Sequence, residues 1–291
     1  MRNPHFFKTY CRIGVNNYPY GQKSTAHGVE DAPDFILTKD FLKKFKNYSL
    51  SDFQFSIPEK FISENYYNSV LTQTIHFKMY MDNKIFDNKT LVVVGGDHFV
   101  TFPSLLYDLK KHGTGFGIIH FDSHGDINSY ESSPSKNLHG MYLRILFDNF
   151  DLERFDHLVP KKMPTKNLLF IGDVEFDEDE REFVRKNKFK VIESDDMKNS
   201  REKSLKIVEE FVNKFNHIHI SFDVDVFKKE IVSATTTPSQ KGFEKKEIFD
   251  ILEIIKRAKS LTLDVAEVNP SKKGAAQTIK ITQEIITTVL S

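Results

Sequence analysis

The sequence predicts an α/β protein built on a mostly parallel sheet. Two observations carry this expectation. Short apolar runs of strand length alternate with longer amphipathic stretches of helical period. Acid-and-histidine clusters also stand at the carboxyl ends of three of those runs, where open parallel sheets place their ligand sites.

Taken in order, the first expected strand is Arg12–Val15, followed by a long amphipathic stretch over Ile62–Asp82. Leu91–Val94 is a strand with no polar member, as burial on both faces requires, and Pro103–His112 is the helix after it. Phe116–Asp122 is the third strand, with helical spacing over Met141–Asn149. Asn167–Ile171 and Lys188–Ile192 are short strands rich in Leu, Ile, Phe and Val. Arg201–Phe215 is amphipathic, and His217–Asp225 is a strand that ends in two aspartates. Lys245–Ala258 carries apolar residues at three-to-four spacing, and Ser260–Val265 is the last strand. No repeat, low-complexity linker or domain boundary interrupts residues 1–291, so one domain is expected.

Composition narrows the function classes. The chain has 291 residues, 39% of them hydrophobic, and its 27 Phe and no Trp point to a phenylalanine-rich core. The 41 basic and 41 acidic residues cancel, which argues against a nucleic-acid or polyanionic partner. No apolar run is long enough for a membrane span, and the N-terminus lacks a signal-peptide pattern. The single cysteine, Cys11, forms no internal disulfide and reads as a small buried hydrophobe at the start of a strand. These features together predict a cytoplasmic protein.

The chemistry sits in Gly-Gly-Asp-His at 95–98, Asp-Ser-His-Gly-Asp at 122–126 and Asp-Val-Asp at 223–225. Asp97 reads as a capping residue. The others, His98, Asp122, His124, Asp126, Asp223 and Asp225, are more ligands than one ion needs, and they suit two divalent metals with shared carboxylates. Asp223 and Asp225, two apart on a strand, would face the same side. Gly96 would allow a sharp turn that aims His98 at the same place. His120, His217 and His219 lie deeper in their strands and read as packed or supporting histidines.

These three clusters, with Glu-Val-Asn-Pro at 267–270, resemble in order and spacing the ureohydrolases, the family of arginase, agmatinase and formiminoglutamase. The resemblance runs from about Ile13 to the C-terminus. It implies a three-layer αβα domain with a parallel, roughly eight-stranded sheet, two Mn2+ ions sharing a hydroxide, and a homo-oligomer (trimer or hexamer). By position, His98, Asp122, Asp126 and Asp223 would hold one metal, and Asp122, His124, Asp223 and Asp225 the other. Asp126 would take the proton of the attacking hydroxide, His139 would shuttle protons, and Glu267 would pair with a guanidinium in a forked geometry.

Within the family, the loop from Asp126 to Gly140 looks like that of arginase. It implies α-carboxylate contacts from Asn128, Ser135 and Asn137, α-amino contacts from Asp177 and Glu180, and a pocket hydroxyl from Thr237. The expected reaction is hydrolysis of L-arginine to L-ornithine and urea. The chain departs from the pattern at Phe99, at Thr236 in place of a glycine, at Lys228-Lys229 in place of Asp-Pro, and in the stretch 21–30. The alternatives are the same chemistry on agmatine, another guanidino acid, formiminoglutamate or peptidyl-arginine, and a non-catalytic arginase-like binding protein.

Overall fold

The computed structural model describes residues 2–15, 26–56, 63–84, 86 and 88–291. The strands are β1 (Pro4–Tyr10), β2 (Ser49–Gln54), β3 (Thr90–Val94), β4 (Gly117–Phe121), β5 (Leu168–Ile171), β6 (Lys190–Ile192), β7 (Ile218–Asp223) and β8 (Leu261–Ala266). The α-helices are α1 (Ala32–Ile36), α2 (Lys39–Leu42), α3 (Ser63–Asp82), α4 (Thr101–His112), α5 (Tyr142–Phe147), α6 (Glu153–Asp156), α7 (Glu178–Lys186), α8 (Ser194–Lys214), α9 (Lys245–Ile255) and α10 (Ala275–Leu290).

The strands form one sheet in the order β2-β1-β3-β8-β7-β4-β5-β6, and every pairing is parallel. Side-chain alternation splits the core into two layers. Phe6, Val92, Ile119, Leu169 and Ile220 pack with α1, α2, α8, α9 and α10. Phe7, Val93, Ile118, Phe170 and the apolar faces of α3 to α7 form the other layer. Strand β7 is apolar on the first face only. Its other face presents His219, Ser221 and Asp223, in line with His217 just ahead of the strand, all buried. Helix α4 supplies their partners. Asp108 Oδ2 lies 3.0 Å from His217 Nε2 and 2.8 Å from His219 Nδ1. His219 Nε2 is 2.8 Å from Asp264 Oδ2, so His217 and His219 belong to a buried polar network away from the acid clusters at the carboxyl ends.

Several expected boundaries move. Arg12–Val15 is not a strand; the first strand lies upstream at Pro4–Tyr10. Segment 12–15 is instead pinned by Asp97, whose Oδ2 accepts the N–H groups of Gly14 and Val15 at 2.7 and 3.2 Å. Cys11 is buried as expected, but it follows a strand rather than opening one. Strand β7 stops at Asp223, and Asp225 lies on a 3-10 turn over Val224–Val226. Arg201–Phe215 is the second part of α8, joined to the first across a non-helical Ser200. Among the described residues, no helix is long and apolar enough to cross a membrane.

Candidate active site

Strands β3, β8, β7 and β4 are neighbours at the centre of the sheet, and their carboxyl ends deliver the clustered residues to one place. His98 follows β3 by way of Gly95 and Gly96. A Cβ on Gly96 would lie 1.6 Å from the Cys11 carbonyl oxygen. The glycine is therefore required for close backbone approach rather than for a left-handed turn. Asp97 accepts from the Phe99 N–H at 3.2 Å and caps the turn, as expected of it.

His98, Asp122, Asp126 and Asp223 are nearly or fully buried. His98 Nδ1 lies 2.8 Å from Asp122 Oδ2, 3.0 Å from Asp126 Oδ2 and 3.6 Å from Asp223 Oδ2. The half-buried His124 places Nδ1 3.0 Å from Asp225 Oδ2 and 3.3 Å from Asp122 Oδ1. Two groups of potential ligand atoms result. One is His98, His120, Asp122 and Asp126; the other is Asp122, His124 and Asp225, with Asp122 common to both.

The fit to cations is a matter of direction and charge. His98 Nδ1, Asp122 Oδ2 and Asp126 Oδ2 are buried and close together, yet none is aligned for a hydrogen bond. Atoms that crowd without bonding one another satisfy a shared cation, whereas leaving them bare is costly. Burial, then the charges of Asp225 and Asp122, push the Asp223 carboxyl well above the usual range. Burial and Asp122 raise Asp225. Burial opposes charge on Asp122 too, but His120, His124 and His98 together hold its carboxyl well down. Such mutual repulsion is what positive charge at the centre would relieve.

Among the described residues, two of the five non-glycine positions with positive φ stand at the same point. Asp126 at φ 50° and Glu267 at φ 63° occupy the left-handed region that glycine favours. Glu267 follows β8, is buried, and accepts the His98 N–H at 3.0 Å through Oε1. Thr236 donates its hydroxyl to the other oxygen. Burial, then the Asp97 charge, pushes the Glu267 carboxyl up to about 8.

A cavity of about 270 Å³ opens over this centre. His98, Asp122, His124, Asp126, Asp223 and Glu267 line its floor, and Asn128, Ser135, His139, Asp177, Glu180 and Thr237 stand around it. Asp225 and Asn137 are buried and do not line it. Both oxygens of Glu180 are already used. Oε1 accepts the Ile127 N–H and Oε2 the Asp177 N–H, each at 2.9 Å, in a capping box that opens α7. Asp177 Oδ2 accepts from Asn128 Nδ2 at 2.8 Å, which ties the loop to α7. Burial lowers the pKa of His139 and favours the neutral imidazole.

Sequence reasoning missed Glu175 and Ser133 in the lining, and the polar seat beneath His98. His98 Nε2 lies 2.7 Å from Ser221 Oγ, which is 3.1 Å from Tyr142 Oη. Ser221, two residues before Asp223, was visible in the alternation of β7; Glu175 had no local signal. The departures are absorbed locally. Phe99 is fully buried, and Lys228 pairs with Glu244. Lys229 uses a backbone N–H that proline lacks to bond the Ser239 carbonyl at 3.0 Å. Residues 21–25 of the N-terminal stretch lie outside the described residues.

The sequence model of the Arginase family matches residues 11–291. The chain belongs to the arginase family. An arginase of Staphylococcus aureus (strain MRSA252) is 30% identical over 273 residues, with 89% of each chain covered. An arginase of Entamoeba histolytica is 27% identical over 265 residues, covering 86% of this chain and 88% of that one. The crystal structure of Entamoeba histolytica arginase in complex with L-ornithine superposes with a TM-score of 0.86 at 22% identity, covering 100% of this chain and 99% of the other. Its likeness bears on the fold alone. A formimidoylglutamase of Bacillus subtilis shares that fold with a TM-score of 0.74 at 14% identity. This protein is thus an arginase-family hydrolase with a candidate metal site of His and Asp residues.

Proposed function

We propose that the protein hydrolyses L-arginine to L-ornithine and urea with two Mn2+ ions. The observation that carries this reading is one cavity with acids and imidazoles on its floor and hydroxyl, amide and carboxylate side chains around it. His98, Asp122, Asp126 and Asp223 would hold one ion, and Asp122, His124, Asp223 and Asp225 the other. Carboxylate-rich donor sets with few imidazoles suit manganese. Bound there, the ions would supply Lewis acidity that makes water a nucleophile near neutral pH.

The side chains do the rest. Glu267 orients the planar guanidinium with one lone pair of each oxygen, the other being taken by His98 N–H or Thr236. Asp126 accepts the proton of the attacking water and passes it to the departing amine. His139, which lines the cavity and whose pKa desolvation lowers, moves protons between the site and solvent. Asn128 and Ser135 address the α-carboxylate, Asp177 and Glu180 the α-amino group, and Thr237 the wall. Asn137, which is buried and does not line the cavity, supports their loop rather than the substrate. Glu180, fully engaged with backbone, acts by fixing Asp177. By the same reading, residues 1–291 form one cytoplasmic unit that assembles as a trimer or hexamer.

A second reading, the same chemistry on a longer substrate such as peptidyl-arginine, has one observation in its favour. A second cavity of about 800 Å³ shares His124, Glu175 and Asp177 with the first and reaches Lys228. Urea release by the Mn-loaded protein from L-arginine, agmatine, a guanidino acid and an arginyl peptide separates the two, with formiminoglutamate consumption measured alongside. Turnover of arginine alone supports the first reading. Turnover of the peptide with silence on arginine supports the second.

A further inference from the structure

The polar face of β7 continues to the opposite end of the sheet. There, Asp108 and His112 on α4 meet His217, just ahead of β7, with one potential ligand atom of each within 4.8 Å of the others. Asp108 is 1% exposed and His217 5% exposed. All three line a cavity of about 530 Å³ at the amino ends of the strands. We propose that Asp108, His112 and His217 form a separate site for one divalent cation of the zinc class.

The donor set fits such an ion. Two imidazoles and a carboxylate make a three-ligand zinc set, and the cavity supplies water for the fourth position. The supports that orient metal ligands are already present. His217 Nδ1 lies 3.0 Å from Ser260 Oγ, which leaves Nε2 facing Asp108 at 3.0 Å. Asp108 is itself held by His219 Nδ1 at 2.8 Å and by Thr262 Oγ1 at 3.3 Å.

His112 is the adjustable member. It ends α4, its ring lies flat on that of His217 with centroids 4.0 Å apart, and open space surrounds the Gly113 that follows. Coordination requires this ring to turn out of its stack on His217 so that a nitrogen faces the His217–Asp108 pair. Binding would place the cation between His217 Nε2 and Asp108 Oδ2, which now lie 3.0 Å apart. Arg2, Lys89, Lys111 and Lys259 also line the cavity. Their charge opposes every divalent cation, so affinity has to come from bonding to the imidazoles, which favours zinc over hard ions. Once bound, the ion ties the end of α4 to the start of β7.

The test is equilibrium dialysis of the full chain against zinc alone. It compares wild type, His112→Ala at the helix end, and the exposed His157→Ala as a control. Zinc taken up at the acid-rich end cancels in the difference. At equal free zinc, wild type and His157→Ala should each hold one zinc per chain more than His112→Ala. Zinc should also raise the Tm of wild type above that of His112→Ala. Ser260→Ala, which removes only the support of His217, should weaken the extra zinc by about tenfold. Equal zinc content in wild type and His112→Ala would overturn the proposal.

Discussion

Replacing Thr236 by valine tests how Glu267 is held. The hydroxyl of Thr236 and the backbone N–H of His98 each donate to one oxygen of a buried carboxylate. That carboxylate stands on a left-handed residue, where the backbone does not favour it. Valine keeps the shape and removes one donor. A hydrogen bond to a charged group contributes about 1.5–3 kcal/mol. If Glu267 orients the guanidinium in the transition state, its loss lowers kcat/KM by about 10- to 150-fold. Metal content should stay unchanged, because Thr236 lies outside both ligand groups. Thr236→Ser restores the donor and should restore most of the activity. Steady-state urea release from arginine, with metal analysis of the same samples, reads both effects. Wild-type kcat/KM in Thr236→Val would refute the forked role of Glu267.

Other expectations separate the remaining roles. His139→Ala should lower turnover and leave both metals in place, as read by urea kinetics and elemental analysis. Asp177→Ala should raise KM for arginine more than it lowers kcat, since it addresses the α-amino end of the substrate. Stability should also depend on pH through His219. Burial opposes its charge, yet Asp264 and Asp108 raise its pKa to about 9. The folded state therefore holds this proton more tightly than the unfolded chain. That contribution is complete below about pH 6.5 and fades as pH rises through about 9, a loss on the order of 3 kcal/mol. Denaturant unfolding of metal-free protein at both ends of that window checks it; a flat profile speaks against the buried His219–Asp108–Asp264 pairing.

The site was legible because its residues stand directly after apolar runs, and parallel sheets bring the ends of neighbouring strands together. His98 and Asp122 follow β3 and β4, and Asp223 ends β7, for this reason. Strand β2 was not legible. It is an edge strand whose exposed and half-buried residues alternate, with little apolar signal in Ser-Leu-Ser-Asp-Phe-Gln. Strand β1 opens with proline, a residue that argues against a strand unless it stands at the first position, as Pro4 does. The mistaken strand at 12–15 is an irregular segment that turns at Gly14 and Val15 and is held by Asp97 from far along the chain, a tertiary contact without a local pattern. Alternation also misplaced Asp225, because the chain turns immediately after Asp223, whose side chain accepts the Asp225 N–H at 2.8 Å. The Asp177–Glu180 pair was expected only at the pocket; its spacing also suits the capping box that opens α7, since a role at the pocket and a role at the helix start draw on the same residues.

The central claim is that six side chains from three strand ends hold two ions through shared carboxylates. Anomalous diffraction at the manganese edge from Mn-soaked crystals tests it most directly. The account predicts two peaks, one between His98 and Asp126 and one between His124 and Asp225, with Asp122 and Asp223 reaching both. A single peak, or two peaks that do not share Asp122 and Asp223, would contradict it.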